Sequence, residues 1–261
     1  MKSKLLSALV FICILFTFSC GSYQNVPYFQ DLKTTGITKE EINNYSPLVI
    51  QTGDILGINV SSLNPAASDI FNYNLTRVNG DNNDRTPQNS VIGYLVDHNG
   101  NIRLPYIGET KVAGFNTTEL NNILEAKLQT YLSKPIVNIR ILNFKISVLG
   151  DVGKPDSYNI QNEHITVTEA LSLAGDLNIT AIRQIMLIRE VDGKREYVPL
   201  DLNSKKLFES PYYYLKNNDV LYVTPNKQKV AAASTDFQKV SLVIAALSVI
   251  AIVLSSSNIL K

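Results

Sequence analysis

The chain of 261 residues has only two cysteines, Cys13 and Cys20, and two histidines, His98 and His164. That scarcity excludes much chemistry. Neither histidine has a cysteine, a second histidine or a carboxylate pair at metal-ligand spacing. His98 sits in turn-like sequence and His164 in an Asn/Gln-rich stretch. There is no Gly-rich phosphate loop, no nucleophile elbow and no Ser/His/Asp set. Asp97 and Glu109 could pair as acids, but solvated turn carboxylates are the plainer reading. The sequence therefore reads as that of a non-enzyme, with no metal and no cofactor. Basic excess is also lacking. A net charge of +1 gives no nucleic-acid surface, so no nucleic-acid partner is expected.

What is abundant is apolar sequence at both ends. Lys2 and Lys4 precede Leu5–Phe18, which stops at Ser19-Cys20-Gly21-Ser22. The run is short for a membrane span and reads as a secretory signal over residues 1–19. "FTFSCGS" resembles a bacterial lipobox, with Phe18 where a small residue is more usual. Cleavage before Cys20 removes Cys13 and leaves a lone thiol, which excludes an internal disulfide and marks Cys20 as the lipidation site. It also removes two lysines and no acid, so the mature chain carries a net charge of −1.

The last run, "VSLVIAALSVIAIVLSSSNIL", is uncharged from Val240 to Leu260. As a helix it would be about 31 Å long, close to the bilayer hydrocarbon thickness. The sequence predicts a transmembrane helix over 239–260. Ser241, Ala245, Ser248, Ala251 and Ser255 share one side, where small residues let helices approach closely in lipid. They are the candidate helix-packing residues.

Between the ends, residues 20–45 are polar and read as a tether. "PLVIQTGDILGINV" carries a strand signal, and residues 64–90 read as loop. "DHNG" at 97–100 predicts the turn of a hairpin within "GYLVDHNGNIRLPYIGETKVAG". Asn116 and Glu119 open a helix through Leu120, Ile123, Leu124, Leu128 and Tyr131, ended by Pro135. Two strands flank Asn143. Thr166 and Glu169 form a second capping box before "VTEALSLAG", closed by Gly175. A hairpin turns at Asp192-Gly193, and "DVLYV" at 219–223 echoes "DILGI" at 54–58. "PYYYLKNND" at 211–219 suggests sugar stacking, but a strand of alternating buried and exposed tyrosines is the plainer reading. "TPNKQK" opens a polar linker over 226–238. The layout is α+β: two small sheet-plus-helix units, dividing near Phe144, followed by the C-terminal transmembrane helix.

The segment from Gly93 to Val137 resembles the polysaccharide export domain of Wza-type outer-membrane lipoproteins. Gly93, Val96, Asp97, Gly100, Ile102, Pro105 and Gly108 match its hairpin; Gly114, Thr118, Glu119 and Leu120 match the motif that opens its helix; Pro135 and Val137 match the strand that follows. The second half resembles a soluble-ligand-binding β-grasp domain, with Asp156 where the family has glycine after Pro155. The resemblance implies an export domain at 46–142 and one β-grasp domain at 143–225, where better-known members have more. It also implies a homo-oligomeric ring, for which eightfold symmetry is allowed. The ring would be anchored in membrane lipid, conduct a capsular or extracellular polysaccharide and meet an inner-membrane co-polymerase or chain-length regulator. The outer membrane is the implied location, with the body in the periplasm. The competing reading is a periplasmic ligand-binding or scaffold lipoprotein without a pore, which a monomer would favour. A passive conduit should have no single essential polar residue.

Overall fold

The computed structural model describes residues 26–33, 35–72, 93–191, 193–232, 241–246 and 248–249. Cys20, Ala251 and Ser255 lie outside them, as does the signal segment. Most elements fall in two groups around two buried apolar clusters.

The first cluster is built on strand β1 (Ile55–Ser61), which pairs antiparallel with β2 (Tyr94–Leu95) and β5 (Ile136–Ile141). Val137 and Ile139 alternate inward from β5. Against them lies helix α2 (Thr117–Leu128), burying Leu120, Leu124 and Leu128 one turn apart. Its capping box is present as expected: Asn116 Oδ1 accepts from Glu119 N at 2.9 Å, and Glu119 Oε2 accepts from Asn116 N at 3.0 Å. The helix stops at Leu128, before Pro135, so Tyr131 lies beyond it and is exposed.

Two further expectations need correction here. Part of the predicted loop 64–90 is helix α1 (Pro65–Asn72). Pro65 suits a first helical turn, Asn64 Oδ1 accepts from Ala67 N, and Phe71 plugs into the core. Asn72 then secures the helix to β1 by bonding both the N–H and the C=O of Val60. The hairpin is also displaced. "DHNG" does turn the chain, with Asp97 Oδ1 accepting from Asn99 N and Asn101 N, but the arms beside it do not pair with each other. The paired arms are β3 (Asn101–Leu104) and β4 (Gly108–Lys111), turning at Pro105–Ile107, with Tyr106 at φ 58°.

The second cluster lies on a five-stranded mixed sheet ordered β7-β6-β10-β8-β9. These strands are β6 (Lys145–Gly150), β7 (Asp156–Asn159), β8 (Gln184–Val191), β9 (Lys194–Asp201) and β10 (Val220–Val223). Central β10 runs parallel to β6 and antiparallel to β8. Helix α3 (Val167–Leu173), capped as expected by Thr166 and Glu169, buries Val167, Ala170 and Leu171. The β8–β9 register puts Val191 opposite Lys194, with Gly193 at φ 72°; Asp192, the other residue of the expected turn, lies outside the described residues. At Gly150 a Cβ would come within 1.9 Å of Val223 O, so only glycine fits where β6 ends against β10. The architecture is α+β, with several small sheets and helices on them.

The described residues of the segment read as a tether, from Val26 on, are docked. Arg183, only 6% exposed, donates to Val26 O, Asn178 O and Ala181 O, and its guanidinium lies over the Tyr28 ring at 5.4 Å. Tyr28 Oη donates to Asp176 Oδ1 at 2.5 Å; burial and that carboxylate push the phenol pKa well up. Asp31 accepts from Ser204 Oγ and Lys205 N, Glu40 pairs with Lys205, and Asn44 donates to Phe208 O and Ser210 O. The segment is thus laid along the second unit. The linker region likewise holds helix α4 (Lys227–Ala232), fixed by Lys229 on buried Asp151 and by Asn226 N donating to Thr180 O. Beyond it, residues 241–246 and 248–249 are helical, with Leu242, Val243, Ile244 and Val249 exposed. Among the described residues no helix is long and apolar enough to cross a membrane.

Candidate functional site

The seam between the two units uses one turn twice. Gln51-Thr52-Gly53-Asp54 leads into β1, and Lys216-Asn217-Asn218-Asp219 leads into β10. The third residue of each is left-handed, Gly53 at φ 86° and Asn218 at φ 67°. Each aspartate accepts the backbone N–H three residues back, from Gln51 at 2.8 Å and from Lys216 at 2.7 Å. The echo between "DILGI" and "DVLYV" is therefore a shared turn chemistry.

Two asparagines tie these turns together. Asn217 Nδ2 donates to Asp54 Oδ1 at 2.7 Å while its Oδ1 accepts from Lys145 N at 3.0 Å. Asn143 Oδ1 accepts from Ile55 N at 2.8 Å, and its Nδ2 donates to Gly53 O at 3.0 Å. Burial pushes the Asp54 carboxyl up, against the bonds from Gln51 and Asn217 that favour its charged form. Asp219 differs, because Arg189 grips it through Nε at 2.9 Å and an NH2 at 2.6 Å. That pair is almost fully buried, at 5% and 1% side-chain exposure.

Beside the seam opens a cleft of about 630 Å³, in the range of ligand sites. The docked segment gives Tyr45 and Leu48; the first unit gives Asn116–Glu119 and Arg140; the second gives Phe144 and Gln161–His164. Tyr45, His164 and Tyr214 meet edge to face, with ring centres 5.3 to 6.3 Å apart. Among the described residues the side chains of Arg140, Gln161 and Asn162 make no hydrogen bond or ion pair.

The sequence candidates fall out as follows. His164 lines the cleft, whereas His98 is exposed on the "DHNG" turn. Asp97 is occupied by backbone donors, led by Asn101 N, which hold its carboxyl below the usual range. Glu109 accepts from Asn101 Nδ2 at 2.6 Å. No group of three or more metal-ligating side chains converges among the described residues. The predicted tyrosine strand is not one. Pro211 and the left-handed Asn218 bound a turn-rich stretch in which only Tyr214 makes a β-bridge, to Thr166. Its rings are half-buried, with Tyr213 against the core and Tyr212 under Arg189. Ser241, Ala245 and Ser248 are on exposed helix, where Ser248 Oγ bonds Ala245 O at 2.7 Å. Sequence reasoning missed Asn143, Asn217 and Arg140. The repeated turn before β1 and β10 was the available signal for the first two.

Comparison with known proteins covers the first unit most fully. Residues 42–142 match the polysaccharide biosynthesis/export protein family. The EPS I polysaccharide export outer membrane protein EpsA of Ralstonia solanacearum is 27% identical over 186 residues, which is 70% of this chain and 49% of the relative. Its namesake in Ralstonia nicotianae is 34% identical over 94 residues, 35% of this chain and 25% of the relative. The chain thus spans about half, or less, of the length of these curated relatives. All of the first buried cluster, Ile50 to Ile139, lies inside the family match. Residues 42–142, the first unit of the chain, therefore match the polysaccharide biosynthesis/export family.

Proposed function

We propose that this protein is an outer-membrane lipoprotein whose copies assemble into a conduit for a capsular or extracellular polysaccharide. One observation carries the reading: the whole first buried cluster lies inside the match to the polysaccharide biosynthesis/export family. It needs no bond-making chemistry, and containment and passage suffice. On this reading Cys20 bears the acyl chains, residues 239–260 enter the same membrane, and the body faces the periplasm towards an inner-membrane chain-length regulator.

The two ends of the body support attachment at two points. Val26 is held by Arg183, and Asn226 by Thr180, so both approach the loop Asn178–Arg183. Five residues separate Cys20 from Val26, so the acyl site lies within about 22 Å of Val26. The exposed apolar residues at 242–244 suit lipid or a neighbouring helix. The stripe Ser241, Ala245, Ser248, Ala251 and Ser255 would then be the seam between copies. Ser248→Leu should weaken it by on the order of 1–3 kcal/mol per contact.

Three measurements test this reading. Cells lacking the protein should lose surface-glycan staining, and detergent-extracted protein should appear as rings by electron microscopy. Cys20→Ala should abolish labelling by a fatty-acid probe. Monomers on the grids would favour a ligand-binding or scaffold lipoprotein instead.

A further inference from the structure

We infer that the cleft between the two units is a saccharide-binding site, which contacts a short neutral segment of the exported polymer. This rests on the export reading and goes beyond it by naming a site and a ligand class. Sugars present two kinds of surface, a C–H face that packs on aromatic rings and a rim of hydroxyls that both donate and accept. The cleft offers both. Tyr45, 57% exposed, and the exposed His164 present ring surface at its mouth, while Tyr214 braces both from behind at 5.3 and 6.3 Å.

Hydroxyl-reading groups line the same cleft. Gln161 and Asn162 each carry a donor and an acceptor, and Arg140 carries donors only. None of these three side chains makes a hydrogen bond or ion pair among the described residues. Glu119 is different, since it serves the helix cap, and Glu163 takes only a long bond from Thr117 at 3.4 Å. One cation against two carboxylates gives little pull on a polyanion, so the site favours neutral hexose or N-acetylhexosamine units. Three parts of the chain build the wall, and the bonds of Asn143 to Ile55 and of Asn217 to Asp54 tie two of them, the two units, together beside it. Most of the lining side chains are exposed, which suits weak contact with a polymer that must keep moving.

The test uses full-length protein in detergent and saturation-transfer NMR with three probes: maltohexaose, tetra-N-acetylchitotetraose and a hyaluronan hexasaccharide. At least one neutral probe should bind, more tightly than the acidic one. The double variant Tyr45→Ala/His164→Ala should weaken it roughly tenfold, as loss of two ring contacts implies. Tyr45→Phe should bind as wild type, and Tyr106→Ala, on another exposed aromatic surface, should change nothing. Absence of binding by both neutral probes, tighter binding of the hyaluronan probe, or binding undiminished in the double variant overturns the site. The export reading fails separately, if deletion of the whole protein leaves surface glycan in place.

Discussion

At the scale of single residues, three buried carboxylates among the described residues behave in three ways. Arg189 and Asp219 form a buried bidentate pair, and Asp219 also caps its turn through Lys216 N. Removing one partner strands the other charge in a dry site. Arg189→Met should therefore cost about 3–5 kcal/mol of stability, read from urea unfolding. Asp151 is of the second kind. Burial opposes its ionisation, but bonds from Lys229, Thr180 and Asn178 outweigh that and hold its carboxyl below the usual range. Its folded form binds a proton less readily than its unfolded form, so the stability it contributes is present above about pH 3.9 and is lost as pH falls through the lowered value. Lys229→Ala should accordingly destabilise the protein near neutrality, with the gap to wild type closing as pH drops below the carboxylate range. A gap that stayed constant with pH would show that Lys229 acts only by packing. Asp54 has the opposite sign. Its raised carboxyl binds a proton more tightly when folded, so its cost accrues as pH rises from about 3.9 to its own value.

At the scale of elements, the docked segment 26–45 hangs on few contacts, of which Arg183 is the most buried. Replacing it by Met leaves the carbonyls of Val26 and Ala181 without the donor Arg183 gives them, whereas Asn178 O keeps Ala181 N. Each such loss costs about 1–3 kcal/mol where the group stays buried. The expected outcome of Arg183→Met is faster amide exchange across 26–31 and 178–183, with the sheet around Leu187 and Leu221 protected as before. Exchange accelerated throughout the second unit would mean that Arg183 supports the whole core. This contact also shows where sequence is mute. A docked segment and a free tether share one polar composition, because partners such as Leu202 O and Asn203 O are backbone atoms 173 residues away. The helices α2 and α3 were legible because their caps are local, at Asn116 with Glu119 and Thr166 with Glu169. Helix α1 was hidden by its Asn- and Ser-rich neighbours, although Pro65 and Phe71 mark its start and its buried side. The hairpin slipped for a similar reason. "DHNG" has the strongest turn residues, but β2 finds its partner in β1, a choice no local signal encodes. The cleft was illegible except for His164, since its wall is assembled from segments more than a hundred residues apart.

At the scale of the whole molecule, the question is what the region after residue 235 adds to a body that already holds itself together. Both buried clusters are complete between Ile50 and Val223. The seam bonds of Asn143, Asp54 and Asn217 all fall in that range, and α4 ends at Ala232. Deleting residues 236–261 therefore removes none of the described core or clamp contacts. The truncated chain should lose only the far-ultraviolet signal of the helical residues it no longer carries and should keep its melting temperature. On the export reading it should still abolish surface display, because the polymer's path across the outer membrane would be gone while acylation at Cys20 holds the body to the membrane surface. The two readouts separate the possible roles. A lowered melting temperature would mean that residues 236–261 pack on the body. Normal melting with normal surface-glycan staining would mean that export proceeds without the terminal helix, and that passage depends on the body and on whatever it assembles with.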